Sequence, residues 1–200
     1  MTSKSSEVGS NEPTEVGSYP GKLDAYFRQQ EATKVDILIW GPGSHQGELY
    51  EKRQKIVTDL RAMSRYNSVF TSEDLIERDA RLRTLPLYKA EELQIDMADV
   101  VISLWVEASG VSGPPGEWLL FGQRDNLQAK IRLLRPANWK PPDFVSRVAT
   151  ERADDILPQA QCFAYSKRQF QTCRDIRTRC RAWVEAVRAA KYQRLLREHA

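Results

Sequence analysis

The sequence predicts an α/β domain: a doubly wound, mostly parallel five-stranded sheet of order 2-1-3-4-5, with helices on both faces and a long C-terminal helix. Three observations predict it. Short apolar, β-branched runs alternate with longer segments whose apolar residues recur at helical spacing. Gly/Ser/Pro loops follow the first and third of those runs. A final segment, Lys167 to Leu196, carries an apolar stripe that needs a surface to cover it.

From Met1 to Gly21 the chain is Ser, Glu, Gly, Thr, Asn and Pro with few apolar side chains, too few to offset the entropy of ordering, so a disordered tail is expected there. The folded domain is expected over residues 22–200, with Leu23 to Gln30 a short helix or an arm packed on it. Val35-Asp36-Ile37-Leu38-Ile39-Trp40 reads as the first strand and Gly41-Pro42-Gly43-Ser44-His45-Gln46-Gly47 as the tight loop after it. Leu49, Ile56, Val57, Leu60 and Met63 then mark an amphipathic helix over Glu48 to Ser64. Ser68-Val69-Phe70-Thr71 is the second strand, ending in Ser72-Glu73-Asp74. A polar span, Glu77 to Arg83, leads to a helix from Leu87 to Ala98.

The third strand is the apolar run Val100 to Val106, buried on both faces as a central parallel strand must be. A loop from Ala108 to Gly116 follows, and Glu117 opens the next helix, which runs to about Gln128. Lys130 to Leu134 is the fourth strand, Phe144 to Ile156 a helix, and Gln161 to Tyr165 a short fifth strand. In the last helix Phe170, Cys173, Ile176, Cys180, Trp183, Val184 and Val187 form the stripe to be covered. The order 2-1-3-4-5 sets the loops at Gly41 and Gly116 facing each other at the switch point, where open parallel sheets bind ligands.

Composition narrows the function. With 41% hydrophobic and 28% charged residues the chain is ordinary for a globular protein. No apolar run approaches the roughly 20 residues that cross a bilayer, and the opening residues do not resemble a secretion signal, so no membrane partner and a cytoplasmic location are expected. Cys162, Cys173 and Cys180 are an odd set with no Cys-x-x-Cys pair, and His45 and His199 lie far from them, so packed thiols are expected and neither a metal site nor a disulfide framework. No cofactor is expected. A net charge of +3 does not by itself imply nucleic acid. Arg174, Arg177, Arg181 and Arg188 step along one face of the last helix, but no aromatic residues interleave with them. That face reads as solvated, or as a dock for an anionic partner or a second copy of the chain.

Two features carry chemistry. Gly41-Pro42-Gly43-Ser44 leaves backbone amides open to a phosphate, a ribose or a carboxylate, though it is neither a dinucleotide fingerprint nor a Walker A loop. Glu117, set between Gly116 and Trp118, can serve the helix dipole as a first-turn acid, or attack an electron-poor sugar carbon beside the glycine loop. Of Glu91, Glu92 and Asp96 on the preceding helix, one can reach the pocket to orient a ribose hydroxyl, and Asp99 is expected to hold structure at the opposite end of the sheet.

The span L-Y-K-A-E-E-L-Q-I-D-M-A-D-V-V-I-S-L, followed by a glycine-bearing loop and G-E-W-L-L-F-G, resembles the nucleoside 2-deoxyribosyltransferase family and its nucleotide N-glycosidase relatives. I-W-G-P-G-S is similar to that family's glycine turn after the first strand, and the resemblance runs over roughly Val35 to Leu134. It implies that Glu117 matches the nucleophile of a glycosyl-enzyme intermediate, with Glu91 near the position of an assisting aspartate. TIR domains that cleave NAD are similar in sheet order, but their Trp-Cys-x-x-Glu pattern is absent here. Both resemblances imply cleavage of a ribose-to-base bond in a nucleoside, nucleotide or NAD-like molecule. Trp40, Gly41, Gly43, Ser44, Gly116 and Trp118 would bind the substrate. The competing expectation is a module that senses a nucleotide in the same crevice without cleaving it.

Overall fold

The computed structural model describes residues 19–107, 113–141 and 143–199, with Tyr19 and Pro20 described by backbone alone. Its five strands are β1 (Val35–Trp40), β2 (Asn67–Thr71), β3 (Val100–Leu104), β4 (Ile131–Pro136) and β5 (Cys162–Tyr165). They form one sheet in the order β2-β1-β3-β4-β5. Every pairing is parallel, with Ile37 opposite both Val69 and Val100, and Ser103 opposite Leu133.

The helices between the strands are α1 (Tyr19–Ala32), α2 (Glu48–Met63), α3 (Ser72–Arg78), α4 (Ala80–Arg83), α5 (Leu87–Met97), α6 (Gly113–Phe121), α7 (Asp125–Lys130), α8 (Phe144–Ile156), α9 (Lys167–Thr172) and α10 (Arg174–Glu198). Side chains alternate across a strand, so each strand feeds two cores. Val35, Ile37, Ile39, Val100, Ile102 and Leu104 pack with Ile56, Val57 and Leu60 of α2 and Ile176, Cys180, Trp183 and Val184 of α10. Leu38, Trp40, Val101 and Leu133 point the other way, to Ile95 of α5, Trp118 and Phe121 of α6, and Ala149 and Ala153 of α8. All five residues of β3 are buried, and each such aliphatic side chain contributes roughly 1.5–3 kcal/mol. This explains why the third apolar run shows no polar alternation.

Several boundaries differ from expectation. Most of the tail expected over Met1–Gly21 lies outside the described residues, but Tyr19–Gly21 already belong to α1, which Arg188 and Tyr192 of α10 hold through Glu31 O and the Gln29 side chain. The helix expected to start at Glu117 starts at Gly113, because Pro114 and Pro115 have φ preset for a first turn and no amide is missed there. The remainder of the expected 108–116 loop lies outside the described residues. That helix also stops at Phe121 and resumes as α7. Gly122 is the stop: its amide bonds to the Trp118 carbonyl at 2.7 Å, and a Cβ there would sit 2.8 Å from the Trp118 ring.

The last helix is likewise two, broken at Cys173, whose φ of 56° is left-handed. The Glu77–Arg83 span, expected to be a polar connection, belongs to α3 and α4, each opened by a side-chain cap, Thr71 on the Asp74 amide and Asp79 on the Arg81 amide.

At the amino end of the sheet Asp99 Oδ2 accepts from the Asp36 amide at 2.9 Å and from Lys191 Nζ at 2.6 Å, the structural part expected of it. The arginine row on α10 is a solvated face only in part, since Arg174 and Arg181 remain exposed. Arg177 and Arg181 bond to Asp59 of α2, and Arg188 is 1% exposed, donating to Glu31 O, Thr33 O and Asn67 Oδ1. Cys173 and Cys180 are buried free thiols in the first core, and burial pushes both above the ordinary thiol range. No helix among the described residues is long and apolar enough to cross a membrane.

Candidate active site

The carboxyl ends of β1, β2 and β3 come together at the crossover, and the residues that follow each strand face one another there. Gly41 follows β1 directly. A Cβ on it would come within 2.9 Å of Arg53 Cδ and 3.5 Å of Leu104 Cβ, so a larger residue would displace the Arg53 side chain. Gly43 is as confined, with the His45 ring 3.0 Å and Glu73 Oε1 4.0 Å from where its Cβ would stand.

Arg53 lies on the face of α2 that carries Ile56, Val57 and Leu60, and it is 3% exposed. Its Nη1 donates to both oxygens of Glu73, at 3.0 and 3.1 Å, and makes a longer contact of 3.5 Å with the Gly41 carbonyl. The Tyr50 ring lies 5.0 Å from its guanidinium carbon, and its Nε is buried without a partner among the described residues. Ser72 and Glu73 form the first turn of α3, placed at the end of β2 by the Thr71 cap. From α5, Glu91 is 7% exposed and accepts a bond from Ser72 Oγ at 3.1 Å. Glu117 stands one turn inside α6, where its Oε2 is buried with no hydrogen-bond partner among the described residues.

The electrostatics follow from this crowding. Burial pushes the Glu117 carboxyl up to about 8; the Glu91 and Glu73 charges add to the rise, and the Arg53 guanidinium opposes it. Burial also raises Glu91, against the Ser72 hydrogen bond and the Trp40 indole N–H. That N–H lies near the Glu91 carboxylate and favours its charged form without completing a full hydrogen bond. Glu73, half exposed, pairs with the Arg53 guanidinium, which also favours a charged Glu117, while the buried Glu91 and Glu117 carboxyls repel one another with no cation of their own among the described residues. Such a pocket is short of positive charge and favours a proton, a cation or a carbon on which positive charge develops.

Gly41, Gly43, Glu91 and Glu117 are therefore gathered in one place through Arg53 and Glu73. Ser44 is exposed and opens a single 3-10 turn, Ser44–Gln46. Gly116 sits in the first turn of α6 with open space where a Cβ would be. Trp40 and Trp118 are each 1% exposed in the second core, so neither offers an open ring face. Trp105 also packs, donating to Ser103 Oγ at 3.0 Å and meeting Trp139 edge to face. Glu92 and Asp96 turn away to an exposed network with Lys89, Arg124 and Asn126.

Arg53, Ser72 and Glu73 were not singled out from the sequence. Arg53 had a signal: it falls four residues after Leu49 and three and four before Ile56 and Val57, a cation inside the apolar stripe. Ser72 and Glu73 carried only their position at the end of a strand next to the switch point.

No family model and no curated protein matches the chain. A solved structure described as a conserved protein from Enterococcus faecalis V583 is similar at 13% identity, over 72% of this chain and 87% of that one, with a TM-score of 0.34. A likeness that slight says nothing about the chemistry of the site.

Proposed function

We propose that the protein is an N-glycosidase or deoxyribosyltransferase-like enzyme that acts on the ribose-to-base bond of a nucleoside, nucleotide or NAD-like molecule, with Glu117 as nucleophile. One observation carries the reading: a buried Glu117 oxygen, without a hydrogen-bond partner among the described residues, lies close enough to Arg53, Glu73 and Glu91 to feel their charges. An acid kept from water and left unbonded is available to a substrate atom.

In the first step Glu117 Oε attacks the anomeric carbon while the carbon–nitrogen bond breaks and its electron pair leaves with the base. Positive charge grows on the sugar between the three carboxyls. The resulting glycosyl ester is then opened by water, or by an incoming base in a transferase. Glu91, held by Ser72, accepts a hydrogen bond from a ribose hydroxyl, and the amides of Gly41, Gly43 and Ser44 donate to the sugar or its phosphate. Arg53 holds Glu73 and the Gly41 carbonyl in place.

Attack needs the ionised carboxylate, and burial holds Glu117 mostly protonated at pH 7. This same fact favours a second reading, in which a neutral Glu117 donates a hydrogen bond in a nucleotide-sensing module. One experiment separates the two. The protein is incubated between pH 6 and 9 with deoxynucleosides, deoxynucleotides, ribonucleotides and NAD, and free base is measured by chromatography. The enzyme reading expects release that rises with pH through about 8 and falls at least about a thousandfold in Glu117→Gln, in keeping with loss of a nucleophile. Release unchanged by the substitution removes Glu117 from the mechanism. No release from any compound, together with thermal stabilisation by one of them, establishes the sensor.

A further inference from the structure

A cavity of about 410 Å³ opens on the same rim of the sheet, on the other side of α2. It lies over the ends of β3, β4 and β5, between the first turns of α2 and the short helix α9. Lys52 and Arg53 are neighbours on α2, about 100° apart around its axis, and they serve the two places separately. Arg53 faces the carboxylate crevice, whereas Lys52 lines the cavity.

The lining combines three kinds of group. Phe170 makes an apolar wall, with Lys52 Nζ 5.9 Å from its ring centre; it is backed by the buried Tyr165, stacked on it at 5.2 Å and 18° and fixed by a hydrogen bond from its hydroxyl to the Trp105 carbonyl. Lys52 and Lys167 bring two ammonium groups. Lys52 donates to the Gln171 carbonyl at 2.6 Å, which leaves two of its three donors free; Lys167 has no carboxylate partner among the described residues. Glu48 and Glu107 supply two carboxylates, also outside any ion pair among those residues.

We propose that this cavity is a second binding site, specific for a nucleotide unit: an aromatic base against Phe170, a phosphate on Lys52 and Lys167, and ribose hydroxyls donating to Glu48 or Glu107. Each lining group then meets its chemical complement. A simple anion would leave the aromatic wall and both carboxylates unmatched, and an apolar ligand would strand four charges. The volume lies within the roughly 300–1,000 Å³ of small-molecule sites. The cavity lies over β4, two strands from β1 in the sheet. The unit is therefore either a free mononucleotide or the far half of a dinucleotide whose other half reaches that crevice. The cavity binds it whether or not Glu117 performs chemistry.

The test is calorimetric titration of the full chain with adenosine 5′-monophosphate, adenosine and NAD, for wild type, Lys52→Ala/Lys167→Ala, Phe170→Leu and Glu117→Gln. Circular dichroism checks the fold of each variant. Adenosine 5′-monophosphate is expected to bind wild type and Glu117→Gln alike and to lose at least about tenfold in affinity in the double lysine variant, as befits lost bonds to a charged group. Adenosine should bind more weakly and be indifferent to that variant, and Phe170→Leu should weaken both. Competition between NAD and the monophosphate for one site identifies the dinucleotide; simultaneous binding identifies a separate mononucleotide site. No binding of the monophosphate, or binding that survives loss of both lysines, overturns the proposal. Because Glu117→Gln is expected to keep this binding, failure of the glycosidase reading and failure of this one are distinguishable.

Discussion

Glu117 is a carboxyl that the fold holds at a disadvantage when charged. Its pKa in the folded protein, about 8, lies above the ordinary 4.5 of the unfolded chain, so the native state binds one more proton between those values. The stability linked to that proton is fully present below about pH 4.5, falls as pH rises, and is lost above 8. Glu117→Gln cannot ionise and escapes the loss. Its Tm relative to wild type should therefore be higher at pH 9 than at pH 5 by about 3 °C or more, since 1 kcal/mol moves a chain of this size by about 2–4 °C. Equal differences at the two pH values would show that the carboxyl is solvated. Glu117 and the two glycines were legible in the sequence because glycine punctuates loops and a lone acid stands out in an apolar stretch. Arg53 and Glu73 were not, because an arginine on a helix and an acid at a strand end are usually solvent-facing.

At the scale of elements, α10 changed most between sequence and structure. Its spacing revealed a face to be covered, and Ile176, Cys180, Trp183 and Val184 do cover the sheet. The arginines beside them looked like a free basic surface. Instead Arg177 and Arg181 clamp Asp59, and Arg188 ties α10 to α1, β1 and the start of β2 through Glu31 O, Thr33 O and Asn67 Oδ1. Helical spacing alone cannot distinguish a row of charges facing water from one facing a neighbouring helix. Arg188→Met keeps an unbranched apolar stem but leaves three acceptors without their donor, and should cost about 2–4 kcal/mol in urea unfolding. Arg197→Ala, at the exposed end of the same helix, should change stability by less than about 0.5 kcal/mol. Similar values for the two would mean that Arg188 is not the anchor described.

For the whole molecule, one sheet stands between two separate cores, and each needs its helices. Without α10 the face of β1 and β3 formed by Val35, Ile37, Val100 and Ile102 would be open to water. A chain ending at Thr172 should therefore fail to reach the native state, with poorly dispersed amide resonances and bound hydrophobic dye. A dispersed, native-like spectrum would show that the second core suffices. The fold itself was largely legible: strand positions, parallel pairing and the order 2-1-3-4-5 all follow from how apolar runs alternate and which runs lack polar residues.

The sequence by itself determined the class of fold, the strands, the loops that meet at the switch point, and an acid placed to use them. These are local or periodic properties, set by backbone preference and by which side chains avoid water. Only the tertiary structure decided that three carboxyls and one guanidinium come close together, that Arg177, Arg181 and Arg188 of α10 bind other elements, and that a cavity opens beyond α2. Those facts depend on which residues, far apart along the chain, are brought within a few ångströms, where burial and charge act between neighbours that no local pattern pairs.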